Sequence, residues 1–393
     1  MSTARIYKQH EIVKKRMGVT LFFFINGFLS ANWAARLPEM QRFYEIDNTS
    51  LGILLFISAT GALIAMPLSG LLSSRRGSNK VTQLTGLLFC FLVPILVLSK
   101  EFYFLLAIFF AYGACLGALN VSMNTQAVIV ERLAQKPIMS SFHALFSIGM
   151  VLGAGSGALF SELSMPLFSH FLIVASLSIM IIVRGCFHLV SVDQKSIQRK
   201  SKDHSSFWRK LLLILPYGII AFCGMTGENT MVDWSAIYMN KVIGTTESIS
   251  ALAFGTYALT MTLGRIFGDY IIGLIGKSRM LKITGLLALT GMLLIVMPTF
   301  HLMPFFGFSL VGLGLANVAP ITYSTAGNIK GIDSSSGVAM ASTIGYTGFF
   351  VGPAMIGYLG DLYGLRISFM FTLILFVIMI LFSLIFFKNH KSK

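Results

Sequence analysis

Twelve apolar segments, each roughly 20 residues long, run through this chain of 393 residues. A helix of about that length crosses the roughly 30 Å of hydrocarbon in a bilayer. The segments lie at residues 17–36, 51–73, 81–99, 102–129, 138–160, 167–187, 211–236, 248–272, 282–298, 304–327, 337–359 and 366–387. Only 11% of the residues are charged, against about 25% in a typical soluble protein. The sequence therefore predicts an all-α integral membrane protein with 12 transmembrane helices, in direct contact with the lipid bilayer.

The positive charge of the chain follows the predicted membrane topology. A net charge of +15 would suggest a nucleic-acid partner in a soluble protein. Here 24 of the 30 Lys and Arg residues fall on one side of the membrane if the N-terminus is cytoplasmic. This positive-inside distribution predicts that both termini are cytoplasmic, and it excludes nucleic acid as a partner.

The residue types that carry catalysis or metal binding are sparse. The four cysteines are dispersed in apolar segments without a C-x-x-C spacing, which is typical of small core residues. No nucleophile and base occur together in a recognisable set. We therefore expect no metal, no cofactor and no enzymatic activity.

A polar segment at 189–210 is the only long interruption of the apolar pattern, and we interpret it as a cytoplasmic linker. It separates six predicted spans from six. The sequence therefore predicts a first helical bundle at 1–188 and a second at 211–393.

The two halves repeat each other. The sequence Thr-Gly-Leu-Leu at 85–88 recurs 199 residues later, at 284–287. Other matches at nearly the same offset are Gly77 with Gly276, Gly149 with Gly348, Gly153 with Gly352, Asn120 with Asn317 and Trp33 with Trp234. Glycines spaced four apart allow close contact between helices. Six spans per repeat predict parallel repeats about an axis along the membrane normal.

The loop after the second predicted helix resembles the signature G-x-L-a-D-R-x-G-R of the major facilitator superfamily. It reads Gly-Leu-Leu-Ser-Ser-Arg-Arg-Gly-Ser at 70–78, with Ser74 in place of the acid. The second half keeps Gly-Arg and Gly-Asp within 264–269. The resemblance covers essentially the whole chain and implies the major facilitator fold, two pseudo-symmetric six-helix bundles. Ser74 leaves open whether the first half keeps the role of that acid in latching helix ends.

Further motifs are similar to those of the bacterial fucose-permease-like branch, which includes uncharacterised inner-membrane proteins and rhizopine-transporter-like proteins. They are WAARLP at 33–38, MNTQA at 123–127, IMSSFHALFSIG at 138–149, GEN at 227–229, DW at 233–234, GRIFGD at 264–269 and GLGLANVAP at 312–320. The resemblance implies a location in the inner membrane and transport of a small molecule, commonly coupled to protons.

Two acids, Glu228 and Asp233, lie in the seventh predicted helix. A charged residue at the centre of a membrane helix costs about 2.5–3.5 kcal/mol on insertion scales, so it is a candidate functional residue. Five positions place the two acids about 140° apart around the helix, so they do not form one pair. We predict that Glu228 carries protons; the alternative is a carboxyl group that is only hydrogen-bonded within the bundle.

Polar residues form stripes on the fourth and fifth predicted helices. Asn120, Asn124 and Glu131 share one face, and the resemblance implies that this helix lines the transport cavity. Asn120 and Asn124 are therefore predicted to contact the solute. His143 is a second candidate for proton coupling, although a lone His more often only accepts and donates hydrogen bonds. Glu131, beside Arg132, is predicted to belong to an inner gate, with simple solvation as the alternative.

Amide and aromatic side chains suit a sugar, because amides bond hydroxyl groups and ring faces cover C–H groups. In the second half, Asn317, Tyr323 and Tyr346 are predicted solute contacts. Trp33 and Trp234 are predicted to stack against the solute, with anchoring at the membrane interface as the alternative.

Charged residues near helix ends are candidate gates. Arg36 is predicted to pair with Asp233 as an outer gate; snorkelling of Arg36 and helix capping by Asp233 are the alternatives. Arg265 and Asp269 have the i, i+4 spacing that allows a pair on one helix face.

These patterns together predict a monomeric secondary transporter that takes up a small polar solute, such as a sugar or polyol derivative, with protons. Proton-antiport efflux of a metabolite, siderophore or drug is one alternative. A membrane sensor built on a transporter fold is another.

Overall fold

The computed structural model describes residues 3–191, 207–298, 300 and 302–387, and this part of the chain is helical and contains no strand. Its α-helices, numbered in chain order, are α1 Thr3–Ala35, α2 Leu37–Tyr44, α3 Asn48–Arg76, α4 Ser78–Ile95, α5 Phe102–Ala134, α6 Met139–Glu162, α7 Leu167–Cys186, α8 Phe207–Tyr238, α9 Glu247–Ile275, α10 Lys277–Val296, α11 Met303–Leu315, α12 Val318–Ala326, α13 Ser334–Tyr363 and α14 Leu365–Phe386. A π-helical turn, Met239–Ile243, follows α8.

Eleven helical segments within the described residues are long and apolar enough to cross a membrane. The chain is thus a multi-pass membrane protein of the all-α class. The remaining predicted span, 81–99, corresponds to α4, which is helical over only 18 residues. Helix α4 starts with the polar residues Ser78, Asn79 and Lys80, so its apolar part is shorter than its 18 residues. Most of the predicted linker, residues 192–206, lies outside the described residues.

Glycines separate helices at equivalent places in the two halves. Gly77 ends α3 and precedes α4 with φ +93°, and Gly276 lies between α9 and α10 with φ +82°. Glycine adopts positive φ without the steric penalty that a Cβ imposes. The match between Gly77 and Gly276 in the sequence therefore corresponds to the same backbone turn in the structure.

Contacts group the chain into two compact units. The first unit comprises Met1–Lys136, Phe142–His204 and Gly327–Ala339. The second unit comprises Pro137–Ser141, Ser205–Ala326 and Met340–Lys393. Residues 137–141, which include the start of α6, and residues 327–339, which include the start of α13, are thus grouped apart from their neighbours in sequence.

The repeated glycines allow helices to pack backbone against backbone. In the first unit, a Cβ on Gly149 of α6 would lie 2.2 Å from the carbonyl oxygen of Phe24 in α1. In the second unit, a Cβ on Gly348 of α13 would lie 2.7 Å from the carbonyl oxygen of Phe222 in α8. Both pairs confirm that this glycine series serves close helix contact.

We expect Gly149→Ala to lower the midpoint of thermal unfolding of the purified protein. The added methyl group meets backbone atoms that cannot rotate away, and overpacking of this kind costs about 1–3 kcal/mol. The matched control is Gly155→Ala in the same helix, because a Cβ on Gly155 would have no neighbour within 4 Å. Equal midpoints for the two variants would contradict the tight contact between α1 and α6.

Candidate functional site

The first unit holds a buried polar cluster between α5 and α6. Asn124 Nδ2 donates to the backbone oxygen of Asn120 at 2.8 Å and to its Oδ1 at 3.3 Å. Asn124 Oδ1 lies 3.2 Å from Nε2 of His143. The three residues are each no more than 9% exposed. The structure therefore brings together two predicted solute contacts and one predicted proton carrier, whose ring is already hydrogen-bonded.

Asn26 of α1 is a buried polar residue that the sequence reasoning missed. It is 1% exposed, and its Nδ2 makes only a long contact of 3.7 Å with Sδ of Met123. Within the described residues its Oδ1 has no hydrogen-bond partner. An unsatisfied buried group costs about 1–3 kcal/mol, so this oxygen is a candidate ligand contact. The signal in the sequence is a single amide in the run Phe-Phe-Phe-Ile-Asn-Gly-Phe at 22–28.

Trp33 belongs to an aromatic group inside the first unit. Its ring is edge-on to Tyr112, with centroids 5.3 Å apart, and to Phe109 at 6.2 Å. The residue is half-buried. Part of the Trp33 side chain is therefore exposed, and its stacking against the solute stays a prediction.

The predicted aromatic contacts of the second unit differ in their burial. Tyr323 is 1% exposed, and its hydroxyl lies 3.8 Å from Sδ of Met225, so it is a core residue. Trp234 and Tyr346 are half-buried. Trp234 and Tyr346 are therefore better placed than Tyr323 to meet a ligand.

Glu228 of α8 forms an ion pair with Arg265 of α9 in the second unit. The Oε1 of Glu228 lies 3.5 Å from Nη2 of Arg265, and the two side chains are 24% and 7% exposed. The predicted pairing of Arg265 with Asp269 needs correction. The guanidinium group of Arg265 pairs with Glu228 of α8, and the carboxylate of Asp269 accepts backbone N–H groups at the start of α6.

A proline breaks the predicted span 304–327 into α11 and α12. Pro320 has no N–H group, and its ring clashes with the carbonyl four residues earlier, that of Ala316. Arg265 Nε lies 3.4 Å from the Ala316 oxygen, to which it donates. The same side chain that pairs with Glu228 therefore also supports the break.

Asn317 lies at this break and is fully buried. Its Nδ2 donates to the backbone oxygen of Gly264 at 3.0 Å. A Cβ on Gly268 would lie 2.0 Å from its Oδ1, so α9 passes very close. Its Oδ1 has no hydrogen-bond partner within the described residues, so the predicted contact with solute stays a prediction beside this structural role of Nδ2.

Arg36 is buried in a hydrogen-bond network of the first unit, with 1% of its surface exposed. Its Nη2 donates to Glu39 Oε2 at 2.5 Å and to the Met165 carbonyl at 2.8 Å, and its Nη1 lies 3.2 Å from Nδ1 of His170. His170 Nε2 in turn lies 2.9 Å from Oδ1 of Asn32. Such burial does not suit snorkelling. The sequence reasoning missed Glu39 and His170 as partners, and the outer gate of Arg36 with Asp233 stays a prediction.

The ionisation of Glu39 reflects this network. Burial raises the pKa of Glu39, but hydrogen bonds from Arg36 and Ser161 and the charges of Arg36 and Arg42 outweigh it and hold the pKa below its usual value. Glu39 is therefore a stable anion beside Arg36 at neutral pH. Asp233, by contrast, is exposed on α8.

The carboxylate of Asp269 holds the first turn of α6. Its Oδ1 and Oδ2 accept the backbone N–H groups of Ser140 and Ser141, each at 2.8 Å. The first N–H groups of a helix lack partners within the helix and carry partial positive charge, so an anion there is favourable. These residues all belong to the second unit.

The equivalent place in the first unit has no acid. At Gly70, 199 residues before Asp269, a Cβ would lie 2.3 Å from Cβ of Ala339, so no larger side chain fits. Instead Asp333 Oδ2 accepts the N–H groups of Ser335 at 3.1 Å and of Ser336 at 3.2 Å. Burial raises the pKa of Asp333 in spite of these hydrogen bonds.

Arg132 at the end of α5 is a further residue that the sequence reasoning passed over. It makes three hydrogen bonds of 3.0 Å, to Gly327 O, Asn328 Oδ1 and Ser334 Oγ. Its predicted neighbour in the inner gate, Glu131, is 6% exposed, which does not suit simple solvation. Ser74 Oγ donates to the Leu71 carbonyl within its own helix. The segment before α13 is therefore bound by Arg132 and not by Ser74.

Comparison with known proteins identifies the family. The sequence profile of the Major Facilitator Superfamily matches residues 19–331 and 219–393. The chain belongs to the major facilitator superfamily. It is therefore a membrane transporter of that family, whose members carry small molecules and are not enzymes.

Relatives and solved structures agree with this assignment. The chain is 32% identical over 364 residues to an uncharacterised MFS-type transporter of Yersinia pestis, covering 91% of this chain and 92% of that protein. It is 31% identical over 382 residues to the membrane protein MosC of Rhizobium meliloti, covering 95% and 90%. The fold matches FucP in the outward conformation with TM-score 0.76 at 14% identity, covering 95% and 98%. It also matches the proton:xylose symporter XylE with TM-score 0.72 at 14% identity, covering 98% and 96%. The predicted major facilitator fold of the fucose-permease-like kind is confirmed.

Proposed function

We propose that this transporter takes up a small polar solute, a sugar or polyol derivative, together with protons. The observation that carries the proposal is the ion pair of Glu228 with Arg265, which joins two apolar helical segments, Phe207–Ile243 and Leu252–Ile275. Two solved transporters of the same fold are described as a fucose:proton symporter and a proton:xylose symporter. We further propose that the chain lies in the inner membrane with both termini in the cytoplasm.

Glu228 is the proton carrier in this proposal. When its carboxylate is charged, the ion pair with Arg265 compensates both charges in a poorly solvated site. When it binds a proton, Arg265 keeps its charge, because an arginine does not deprotonate in proteins. An unpaired buried charge is costly, so proton binding favours a rearrangement around Arg265. Arg265 also donates to Ala316 at the break of α11 and α12, and this contact transmits the change to those helices.

The amides of the first unit are the proposed solute contacts. Asn120 and Asn124 lie on α5 and Asn26 lies on α1. The Asn26 oxygen is one of the buried polar atoms of the described residues that have no hydrogen-bond partner. Hydroxyl groups of a sugar both donate and accept, as amide side chains do. Trp33, Trp234 and Tyr346 supply ring surface, and His143 positions Asn124 through their hydrogen bond.

Asp269 is the proposed gate of the second unit. Both oxygens of its carboxylate accept N–H groups at the start of α6, so the two hydrogen bonds rely on the negative charge of one side chain.

We expect Asp269→Asn to lower the initial uptake rate about fivefold. A favourable anion at a helix N-terminus is worth about 0.3–1 kcal/mol and up to about 2 kcal/mol when partly buried. The control is Asp361→Asn, since Asp361 is exposed at the end of α13. An unchanged uptake rate for Asp269→Asn would remove Asp269 from the gate.

The test of the function is transport by purified protein in proteoliposomes. A thermal-shift screen of sugars, polyols, amino acids and siderophores first selects solutes that raise the unfolding midpoint. Their uptake is then measured with an imposed inward proton gradient and after its collapse with an uncoupler. Inward accumulation that the uncoupler abolishes supports the proposal. Export against an opposing gradient would instead indicate antiport efflux, and binding without flux would indicate a sensor.

A further inference from the structure

An open groove runs along the first unit between α3, α4 and α5. Its volume is about 410 Å³, within the range of about 300–1,000 Å³ that is usual for ligand sites. Its walls include Leu68, Leu72 and Leu84, which are 54%, 42% and 61% exposed. Ala114 and Ala118 also line it, and their small side chains leave the space between the leucines open.

The hydroxyl groups along the groove are already used within the protein. Ser69 Oγ donates to the Ala118 carbonyl at 2.7 Å, and Thr85 Oγ1 donates to the Val81 carbonyl at 2.8 Å. The walls therefore present hydrocarbon and offer little to a sugar or another polar solute. This groove is distinct from the amide cluster of the proposed transport site.

Two cations, Arg76 and Lys80, line the same groove. Both are exposed, and no ion pair within the described part of the chain involves either of them. The turn at Gly77 joins the helices that carry them. The groove thus combines apolar walls with positive charge that pairs with no carboxylate among the described residues.

The length of the groove matches one leaflet of a bilayer. Its lining residues on α3 extend from Ala65 to Arg76, which is about 16 Å along a helix. Half of the roughly 30 Å hydrocarbon core is about 15 Å. The cations lie at and just after the end of the span Ser50–Arg76. A helix of this length that crosses the hydrocarbon core would bring its end to the level of the lipid headgroups.

We propose that this groove binds an anionic phospholipid of the cytoplasmic leaflet. One acyl chain lies along Leu68, Leu72 and Leu84, and the phosphate lies between Arg76 and Lys80. Basic sites between transmembrane helices on the cytoplasmic side are suited to anionic headgroups, and long basic side chains reach the headgroup level from a helix end. This site is independent of the transported solute.

The test is a lipid titration of the delipidated, full-length protein, followed by native mass spectrometry with phosphatidylglycerol and phosphatidylcholine as probes. Each basic residue near an anionic lipid contributes about fivefold to binding, so Arg76→Gln with Lys80→Gln should weaken phosphatidylglycerol binding about 25-fold. Binding of phosphatidylcholine should be weak in all variants. Ala114→Phe, which fills the groove, should weaken phosphatidylglycerol binding with both cations present.

The matched control is Arg75→Gln, because Arg75 is an equally exposed neighbour that does not line the groove. It should bind phosphatidylglycerol within about twofold of the wild type. Size-exclusion profiles and unfolding midpoints confirm that each variant is folded. The proposal is overturned if the double variant Arg76→Gln with Lys80→Gln binds phosphatidylglycerol as tightly as Arg75→Gln does, if phosphatidylcholine binds as tightly as phosphatidylglycerol, or if Ala114→Phe has no effect.

Discussion

Glu228→Gln is expected to abolish proton-driven accumulation of the solute while leaving its exchange across the membrane intact. Glutamine has nearly the shape of the protonated acid, but it cannot release a proton. One proton moving through 100 mV supplies about 2.3 kcal/mol, which supports roughly 50-fold accumulation. The variant should therefore only equilibrate the solute. Uptake into proteoliposomes with an imposed pH gradient measures accumulation, and counterflow at equal pH measures exchange.

Glu162→Gln is the matched control for this experiment, because it makes the same chemical change at an exposed position at the end of α6. It should accumulate solute as the wild type does. If Glu228→Gln also accumulates solute fully, Glu228 is not the proton carrier. If His143→Gln loses accumulation and Glu228→Gln does not, the proton-binding residue is His143, in the polar cluster between α5 and α6.

The fold was predictable because the bilayer leaves few choices. Apolar segments of similar length, positive charge on alternate loops and a repeat at nearly one offset can all be read from the sequence without knowing which helices pack together. The equivalent turns at Gly77 and Gly276 show that this repeat is structural. The division of one predicted span into α11 and α12 was readable from Pro320, whose clash with the carbonyl of Ala316 is a local effect.

The partners of charged residues could not be predicted in the same way. An acid in an apolar segment identifies Glu228 as unusual, but its partner Arg265 lies 37 residues away on another helix. The i, i+4 spacing of Arg265 and Asp269 favours a local pair worth only a few tenths of a kcal/mol, roughly 0.2–0.5 kcal/mol. A second unpaired charge in the interior costs far more, so packing between helices decides which acid meets Arg265.

The same limit applies to the ends of helices. The sequence shows that Ser74 replaces an acid, but not that Arg132 reaches the segment before α13 instead. It shows a glycine at position 70, but not the contact with Ala339 that excludes an acid there. The contacts of these positions are thus made by neighbours that are distant in sequence.

Arg265→Gln is expected to lower the initial rate of solute uptake at least about tenfold, the effect of about 1.4 kcal/mol on a rate. The change removes the partner of Glu228 and the donor to the Ala316 carbonyl in one step. Arg265→Lys keeps the charge but lacks the guanidinium fork that serves two acceptors, so it should restore only part of the rate. Uptake in proteoliposomes, normalised to the amount of inserted protein, is the measurement.

The double variant Glu228→Gln with Arg265→Gln separates the ion pair from the two individual residues. Glu228→Gln alone leaves a buried guanidinium that cannot lose its charge, whereas Arg265→Gln leaves a carboxylate that is able to take up a proton. We therefore expect Glu228→Gln to lower the unfolding midpoint more than Arg265→Gln does. Removing both charges should cost less than the sum of the single changes, by about 0.5–3 kcal/mol. Strictly additive losses would mean that the 3.5 Å contact carries no net interaction, and the proposed coupling of proton binding to helix movement would fail with it.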